Sequence, residues 1–225
     1  MNSGQQYARM HRVRSCAALQ EALFNSILDA SGDISEYAVL DAGCGDGRLS
    51  RMLADRAKKV IGVDINAAAI RAAKRNSPKR VRFRVSDIAN LRLPRVVDHI
   101  VACCVLNELP LMRLPEFLLG VNRNLCSHGT FIVLLPHPAF SYAENNALVR
   151  RKALRRQDYM NNGYEYEVLF HFAPQSTIRM REHHFSLSFL VNAVTRCGFH
   201  LRLLQELSYN SSTIPSYLLA VFAKA

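Results

Sequence analysis

Short apolar runs alternate with amphipathic stretches over the first part of the chain. The runs that predict buried strands are VLDAG, KVIGVDI, VRFRVSD, HIVACCVL and GTFIVLLPHP. Between them apolar residues recur every three or four positions, as in GRLSRMLADRA and LPEFLLGVNRNL, which predicts helices. Strand and helix therefore alternate four times before residue 136, and this alternation is typical of a parallel, doubly wound sheet.

Both ends of the chain predict further helices and strands. A helix is predicted over residues 4–30, because Leu19, Leu23 and Ile27 recur at helical spacing. The pattern FSLSFLVNAVTRCG predicts a late helix that ends at Gly198. Two strands, FHLRLLQEL and SYLLAVFAKA, follow so closely that we expect an antiparallel terminal pair.

The stretch 139–185 interrupts the alternation with polar, aromatic and charged residues that show no strong period. It holds enough aromatics to pack, which predicts an insertion rather than a linker. Because it follows the fifth strand, we expect it to lie above the carboxyl ends of the strands and to act as a lid over an acceptor. We expect a single domain over 1–225, with residues 1–32 as an N-terminal helical cap.

Composition limits the classes of protein to consider. The chain has 225 residues, 49% of them apolar, which is enough for one domain with a large core. No apolar run approaches the roughly 18–20 residues of a membrane span, and no apolar segment typical of a secretory signal follows the basic N-terminus. The six cysteines have no C-x-x-C spacing, which disfavours zinc and a disulfide framework. We therefore expect a cytoplasmic protein with free thiols, no membrane partner and no metal.

Positive charge is the main compositional signal. The net charge is +11, and much of it lies between Arg48 and Arg95. Such an excess suits nucleic acid, a membrane surface or an acidic substrate, and it also suits a merely solvated face. The basic residues are scattered over helices and edge strands without interleaved aromatics, which favours the solvated face. Nucleic acid stays open as a partner.

Three glycines, Gly43, Gly45 and Gly47, follow the first strand in the stretch VLDAGCGDGRLS. A glycine-rich turn between a strand and its helix lets a ligand approach the backbone. The spacing G-x-G-x-G fits neither the dinucleotide fingerprint G-x-G-x-x-G nor the phosphate loop G-x-x-x-x-G-K-S/T. The loop therefore predicts a ligand of another class.

The first three strands each carry an aspartate at or near their end. Asp41 suits an ammonium group of a ligand, although a carboxylate there can also cap the following helix. Asp64 ends the second strand, where an acid accepts hydrogen bonds from ribose hydroxyls. Asp87 ends the third strand, where a carboxylate can accept from an exocyclic amine. An amino acid, a ribose and an aminated base together describe S-adenosylmethionine (SAM).

The chain resembles the class I SAM-dependent methyltransferases. The matching stretches are VLDAGCGDGRLS, VIGVDIN, VSDIANLRLP, HIVACCVLNELP and GTFIVLLPHPAF, in the family's order and spacing. The resemblance covers residues 36–138 closely and 183–225 loosely. It implies an α/β fold with a Rossmann-like, doubly wound, seven-stranded sheet, mostly parallel with an antiparallel last strand, and a lid insertion after strand 5.

The resemblance also implies roles for individual residues. By position, the cofactor-binding residues are Asp41, Gly43, Cys44 and Gly45 for the methionine moiety, Asp64 for the ribose, Ile65, Asp87 and Ile88 for the adenine, and Cys103 for the floor of the site. An N-terminal helix closes over the cofactor in related enzymes, so Tyr7 and Arg12 are candidates for binding its carboxylate. The stretch YARMHRVR equally suits a solvated amphipathic helix.

The acceptor side is less defined. A hydroxyl acceptor usually needs a general base, often His, whereas an amine needs only to be deprotonated. The polar candidates for the acceptor pocket are His137, Tyr159, Tyr164, Tyr166, Glu167, His171, His183 and His184. Among them we predict His137 or His184 as the catalytic base, because both adjoin rigid elements. After the fourth strand NELP departs from the N/D-P-P-Y/F motif of enzymes that methylate exocyclic amines of bases or glutamine, which counts against that group.

These observations predict an enzyme, a SAM-dependent methyltransferase that methylates an O or N atom of a small molecule and releases S-adenosylhomocysteine. The basic run RRKALRRQ favours an acceptor that carries an acidic group. RNA methylation is the alternative that the charge suggests. A SAM-binding regulator, or an enzyme that uses SAM without transferring its methyl group, is a third possibility.

Overall fold

The computed structural model describes residues 14–75, 77–78, 80–139, 149–152, 158–173, 176–208 and 214–225. The helices are α1 (Arg14–Ser31), α2 (Arg48–Ala54), α3 (Ala67–Arg75), α4 (Leu114–Asn124) and α5 (Leu187–Arg196). The strands are β1 (Ala38–Ala42), β2 (Lys59–Asp64), β3 (Val81–Val85), β4 (Val97–Cys103), β5 (Leu125–Pro136), β6 (Val149–Lys152), β7 (Tyr164–Ala173), β8 (Ser176–His184), β9 (Phe199–Leu207) and β10 (Tyr217–Lys224). Two short 3-10 turns, Leu106–Glu108 and Leu111–Arg113, follow β4.

Seven strands form the main sheet in the order β3-β2-β1-β4-β5-β10-β9. The first five strands in the chain are mutually parallel, and β10 is antiparallel to both of its neighbours, β5 and β9. This confirms the predicted doubly wound sheet and its antiparallel last strand. The strand order reverses between β1 and β4, and open α/β sheets bind ligands at such a switch point, outside the carboxyl ends of the strands.

Both faces of the sheet are buried, which is why the central strands are continuous apolar runs rather than alternating ones. Along β5, Phe131, Val133 and Leu135 belong to one core layer, and Ile132 and Leu134 belong to the other. Helices α4 and α5 cover the first layer, while α1, α2 and α3 cover the second.

Local signals at the helix ends match the sequence prediction. Asn66 accepts hydrogen bonds through its Oδ1 from the amides of Ala68 and Ala69, at 2.9 and 3.2 Å, and so caps α3. Gly198 follows α5 with a φ of 86°, the left-handed conformation that commonly ends a helix. Helix α1 is described from Arg14 onward, and the earlier part of the helix predicted over 4–30 lies outside the described residues.

The predicted insertion contains an antiparallel sheet with the strand order β6-β7-β8. Along β7 and β8, Tyr166 pairs with Glu182 and Val168 pairs with Met180, so these four side chains share one face. Strand β8 lies against the 3-10 turn Leu106–Glu108, which connects the insertion to the end of β4. Strand β7 was not anticipated, although the period-2 pattern of YEYEVLF is its signal in the sequence. Closure of the insertion as a lid stays a prediction.

None of the helices in the described ranges is long and apolar enough to cross a membrane.

A close backbone approach positions the loop after β3, and a single substitution tests it. A Cβ on Gly120 of α4 would lie 2.2 Å from the carbonyl oxygen of Ile88. Alanine is favoured over glycine inside a helix by about 1 kcal/mol. We nevertheless expect Gly120→Ala to lower the free energy of unfolding by about 1–3 kcal/mol in urea titrations, because backbone must shift. Leu119→Ala, at an exposed neighbouring position, is the control. Equal or higher stability of Gly120→Ala would show that the loop at Ile88 moves freely.

Candidate functional site

All three glycines of the loop after β1 have positive φ values: 78° at Gly43, 53° at Gly45 and 78° at Gly47. A Cβ on Gly43 would lie 2.4 Å from Val105, and one on Gly47 would lie 2.6 Å from Phe83. A Cβ on Gly45 would meet no described atom within 4 Å. Packing therefore accounts for two of the glycines, whereas the backbone at Gly45 is open to a ligand.

Strand β2 holds this loop in place. The amides of Gly43 and Cys44 both donate to the carbonyl oxygen of Val63, at 2.8 and 2.9 Å. The Cys44 side chain is buried, and burial raises the pKa of its thiol. The thiol of Cys44 is therefore neutral and not a reactive thiolate, and the contact of Cys44 with a methionine moiety stays a prediction.

Asp64 connects the loop to the end of β2. Its Oδ2 accepts from the amide of Gly45 at 2.9 Å, and its Oδ1 accepts from the amide of Asn66 at 2.7 Å. A carboxylate can accept about four hydrogen bonds, so this geometry leaves capacity for the hydroxyls of a ribose. The predicted position of Asp64 at the carboxyl end of β2 is thus the observed one.

Asp41 lies inside the protein rather than at its surface. Its side chain is buried, and its Oδ2 accepts from the hydroxyl of Ser50 at 2.5 Å. The pKa of Asp41 is raised to about 7, chiefly by burial; the bond from Ser50 opposes this shift, and the charge of Asp64 adds to it. Ser50 was not anticipated from the sequence. Contact of Asp41 with the ammonium of a methionine moiety stays a prediction.

The residues predicted around adenine lie after β2 and β3. Ile65 is 75% exposed although it is a large apolar residue, which suits a side chain that a ligand covers. Ile88 is buried. Asp87 accepts from the amide of Ala89 at 2.9 Å through one oxygen and forms an ion pair with Arg113 through the other. Arg113 was not anticipated, and its pairing with Asp87 adds a cation to this side of the site.

Strand β4 ends at Cys103, the predicted floor residue, which is partly buried. The next residue, Cys104, has a φ of 54°, which is uncommon for a residue with a Cβ, and its amide donates to Leu134 at 2.7 Å. This left-handed turn directs Val105 onto Gly43 of the glycine loop. The turn after β4 therefore packs directly on the loop after β1.

His137 follows β5 and is buried. Its Nδ1 accepts from the amide of Ala139 at 3.2 Å, and its Nε2 lies 2.9 Å from Oε1 of Glu206 on β9. In the tautomer that these partners require, Nε2 carries the proton and both ring nitrogens are engaged. This geometry supports a role in joining β5 to β9.

His184, at the end of β8, is also buried. Its Nε2 donates to the carbonyl oxygen of Tyr159 at 2.8 Å, so the lone pair resides on Nδ1. Burial lowers the pKa of His184, and the bond to Tyr159 opposes that shift. A neutral ring with a lone pair is the form that a general base needs.

The other acceptor candidates separate onto two faces of the small sheet. Tyr164 and Tyr166 share a face with Glu182 and His184, whereas Glu167 and His183 lie on the opposite face. The ring of Tyr159 packs on that of His184, with centroids 5.6 Å apart, and its hydroxyl accepts from the amide of Leu187 at 3.1 Å. The side chain of His171 lies outside the described residues, as do Tyr7 and Arg12.

A separate apolar groove of about 440 Å³ lies between α4 and α5, with Leu114, Leu118, Phe189 and Ala193 among its lining residues. None of the predicted cofactor-binding residues that the structure describes lines it. It therefore lies apart from the glycine loop.

The geometry agrees with comparisons to known proteins. Residues 33–180 match the model of a family described as a methyltransferase domain. The fold is similar to that of an S-adenosylmethionine-dependent methyltransferase from Mesorhizobium loti, with a TM-score of 0.66 and 19% identity, over 88% of this chain and 96% of that one.

Two curated relatives align with part of the chain. A malonyl-(acyl-carrier protein) O-methyltransferase of Hamiltonella defensa is 29% identical over 97 residues, which are 43% of this chain and 36% of that protein. An uncharacterized RNA methyltransferase of Clostridium acetobutylicum is 37% identical over 75 residues, or 32% of this chain and 16% of that protein. The chain thus spans less than half the length of these curated relatives.

The buried carboxyl of Asp41 predicts a distinctive pH dependence. Its folded pKa of about 7 lies above the ordinary value of 3.8, so its contribution to stability is full at low pH and is lost as pH rises between these values. Asp41→Asn cannot ionise, so its melting temperature relative to wild type should increase from about pH 5 to about pH 8. Asp29→Asn, at an exposed position, is the control, and its melting temperature relative to wild type should stay constant over the same pH range. Parallel melting curves for Asp41→Asn and wild type would show that Asp41 ionises normally.

Proposed function

The chain belongs to the methyltransferase domain family, and on that premise we propose that it transfers the methyl group of SAM to an O or N atom of a small molecule. One observation carries the proposal: the open backbone at Gly45 lies beside the Asp64 carboxylate and the exposed Ile65, at the carboxyl ends of β1 and β2. The open backbone suits an amino acid, the carboxylate suits a ribose, and the apolar side chain suits a base.

The residues present fit SAM as the methyl donor. Gly45 admits the methionine moiety, Asp64 retains capacity for the ribose hydroxyls, and Ile65 offers an apolar surface to the adenine. We keep Asp87 and Ile88 as the adenine-edge residues and Cys103 as the floor. Asp41 is buried beneath the loop and bonded to Ser50, and from there its charge would attract the ammonium group of SAM.

When bound, SAM supplies a methyl carbon that its sulfonium has already activated. The protein's task is then to align the acceptor and to exclude water. The turn after β4 suits this task, because Val105 packs on Gly43 and so fixes the turn against the loop. A hydroxyl acceptor would need a base, and His184 is the better placed of the two candidate histidines, since the ring nitrogens of His137 are both engaged.

Preference for an acceptor with an acidic group rests on the run RRKALRRQ. The side chains of this run lie outside the described residues, so the preference stays a prediction of the sequence.

Removing the Asp64 carboxylate tests the cofactor site. Asp64→Ala should weaken S-adenosylhomocysteine binding roughly 10- to 150-fold in calorimetry, because hydrogen bonds to a charged group are worth about 1.5–3 kcal/mol. Asp55→Ala, an exposed aspartate at the end of α2, is the control and should bind normally. Unchanged affinity of Asp64→Ala would refute the placement of the ribose at β2.

RNA is the second candidate acceptor, and both the charge of +11 and the relative named as an RNA methyltransferase favour it. The exposed Arg82 and Arg84 of edge strand β3 offer another reason for the charge, because charged side chains on an edge strand discourage pairing between molecules.

Salt dependence and methyl labelling distinguish a small-molecule acceptor from RNA. Binding driven by phosphates weakens by orders of magnitude between about 50 and 200 mM salt. We expect total RNA to bind weakly and to receive no labelled methyl group from SAM. Robust labelling of tRNA or rRNA would instead establish RNA as the acceptor.

A further inference from the structure

A buried carboxylate lies on the face of β8 that Tyr166 and His184 share. The Glu182 side chain is 4% exposed, and the Tyr166 hydroxyl donates to its Oε2 at 2.7 Å. Among the described residues, no lysine, arginine or histidine lies within ion-pair distance of Glu182. A carboxylate can accept about four hydrogen bonds, and an ionised one is costly to bury without a cation or several donors.

A second buried acceptor lies on the neighbouring turn. Asn107 is 4% exposed, and its Oδ1 has no hydrogen-bond partner within the described ranges. It belongs to the 3-10 turn Leu106–Glu108, against which β8 packs. Buried polar atoms of native proteins are nearly always paired, so this oxygen requires an explanation.

These two acceptors lie at the end of β4. The pKa of the Cys104 thiol is raised first by its hydrogen bond with Cys103, then by burial, and further by the charges of Glu182 and Glu108. Strand β8, which carries Glu182, also packs against the turn Leu106–Glu108 that follows β4. Val105, which follows Cys104, packs on Gly43 of the predicted cofactor loop.

We propose that Glu182, Tyr166 and Asn107 form the acceptor-binding site and that they select an amine. The inference rests on the proposed methyl transfer and names the class of its substrate. A carboxylate oxygen of Glu182 and Oδ1 of Asn107 both accept hydrogen bonds. A ligand group that bonds to both must therefore carry at least two N–H or O–H donors. A primary amine has enough hydrogens to donate to both oxygens, whereas a hydroxyl has only one. A carboxylate on the ligand would be repelled by the charge of Glu182.

The same contacts serve the reaction. The amine gives up its extra proton to solvent before attack, and its lone pair then forms the new N–C bond. The C–S bond breaks with its electron pair going to sulfur, which leaves neutral S-adenosylhomocysteine. Positive charge develops on the nitrogen in the transition state, and the Glu182 carboxylate stabilises it. The methylated ammonium then loses a second proton to solvent if it leaves as a neutral amine.

Three probes with the same ring separate the classes of acceptor: benzylamine, benzyl alcohol and benzoate. The ring suits the aromatic face of Tyr164 and Tyr166. Binding of each probe is measured by calorimetry or ligand-observed NMR on the full chain saturated with S-adenosylhomocysteine. The variants are Glu182→Gln, which keeps the size of the side chain, and Tyr166→Phe, which removes one hydroxyl. Glu165→Gln on the opposite face of β7 is the matched control.

We expect wild type to bind benzylamine more tightly than benzyl alcohol and not to bind benzoate. Glu182→Gln should weaken benzylamine binding about 10-fold or more, and Tyr166→Phe should weaken it less. Glu165→Gln should match wild type, and every variant should bind S-adenosylhomocysteine normally. Absent benzylamine binding, stronger benzoate binding, or full benzylamine affinity in Glu182→Gln would each overturn the inference. Failure of wild type to bind S-adenosylhomocysteine would instead refute the proposed function.

Discussion

The hydrogen bond from the amide of Gly45 to the carboxylate of Asp64 is the constraint on which the site depends. It joins the loop after β1 to the end of β2, and the second oxygen of Asp64 holds Asn66, which begins α3. Because the loop is fixed from this side, Gly43 can accept the close approach of Val105 from the other. The carboxyl ends of β1, β2 and β4 are thereby fixed relative to one another, so the binding surface is already formed before a ligand arrives.

Most of the fold, and the positions of the residues proposed to bind the cofactor, could be predicted from sequence because their determinants are local. A strand buried on both faces is a continuous apolar run, and the residues that bind a ligand in such a sheet follow the strands directly. Gly43, Gly45 and Asp64 are adjacent to their strands in the sequence, so their places at the switch point follow from strand order alone.

The acceptor side could not be predicted in this way, because its contacts join distant parts of the chain. Glu182 meets Tyr166 across a strand pair, and His137 meets Glu206, which is 69 positions later. The sequence marks His137 as a candidate base, but it does not show that a carboxylate and an amide already engage the ring. The alternation of YEYEVLF is visible in the sequence, but the residue that each of its side chains meets on β8 is not.

The central claim is that S-adenosylhomocysteine binds at the carboxyl ends of β1 and β2 and not in the groove between α4 and α5. NMR of methyl-labelled isoleucine and leucine during a titration tests it directly. We expect the methyl resonance of the exposed Ile65 to shift, while those of Leu114 and Leu118 in the groove and of the buried Ile27 in α1 stay constant. Shifts at Leu114 and Leu118 with none at Ile65 would contradict the claim.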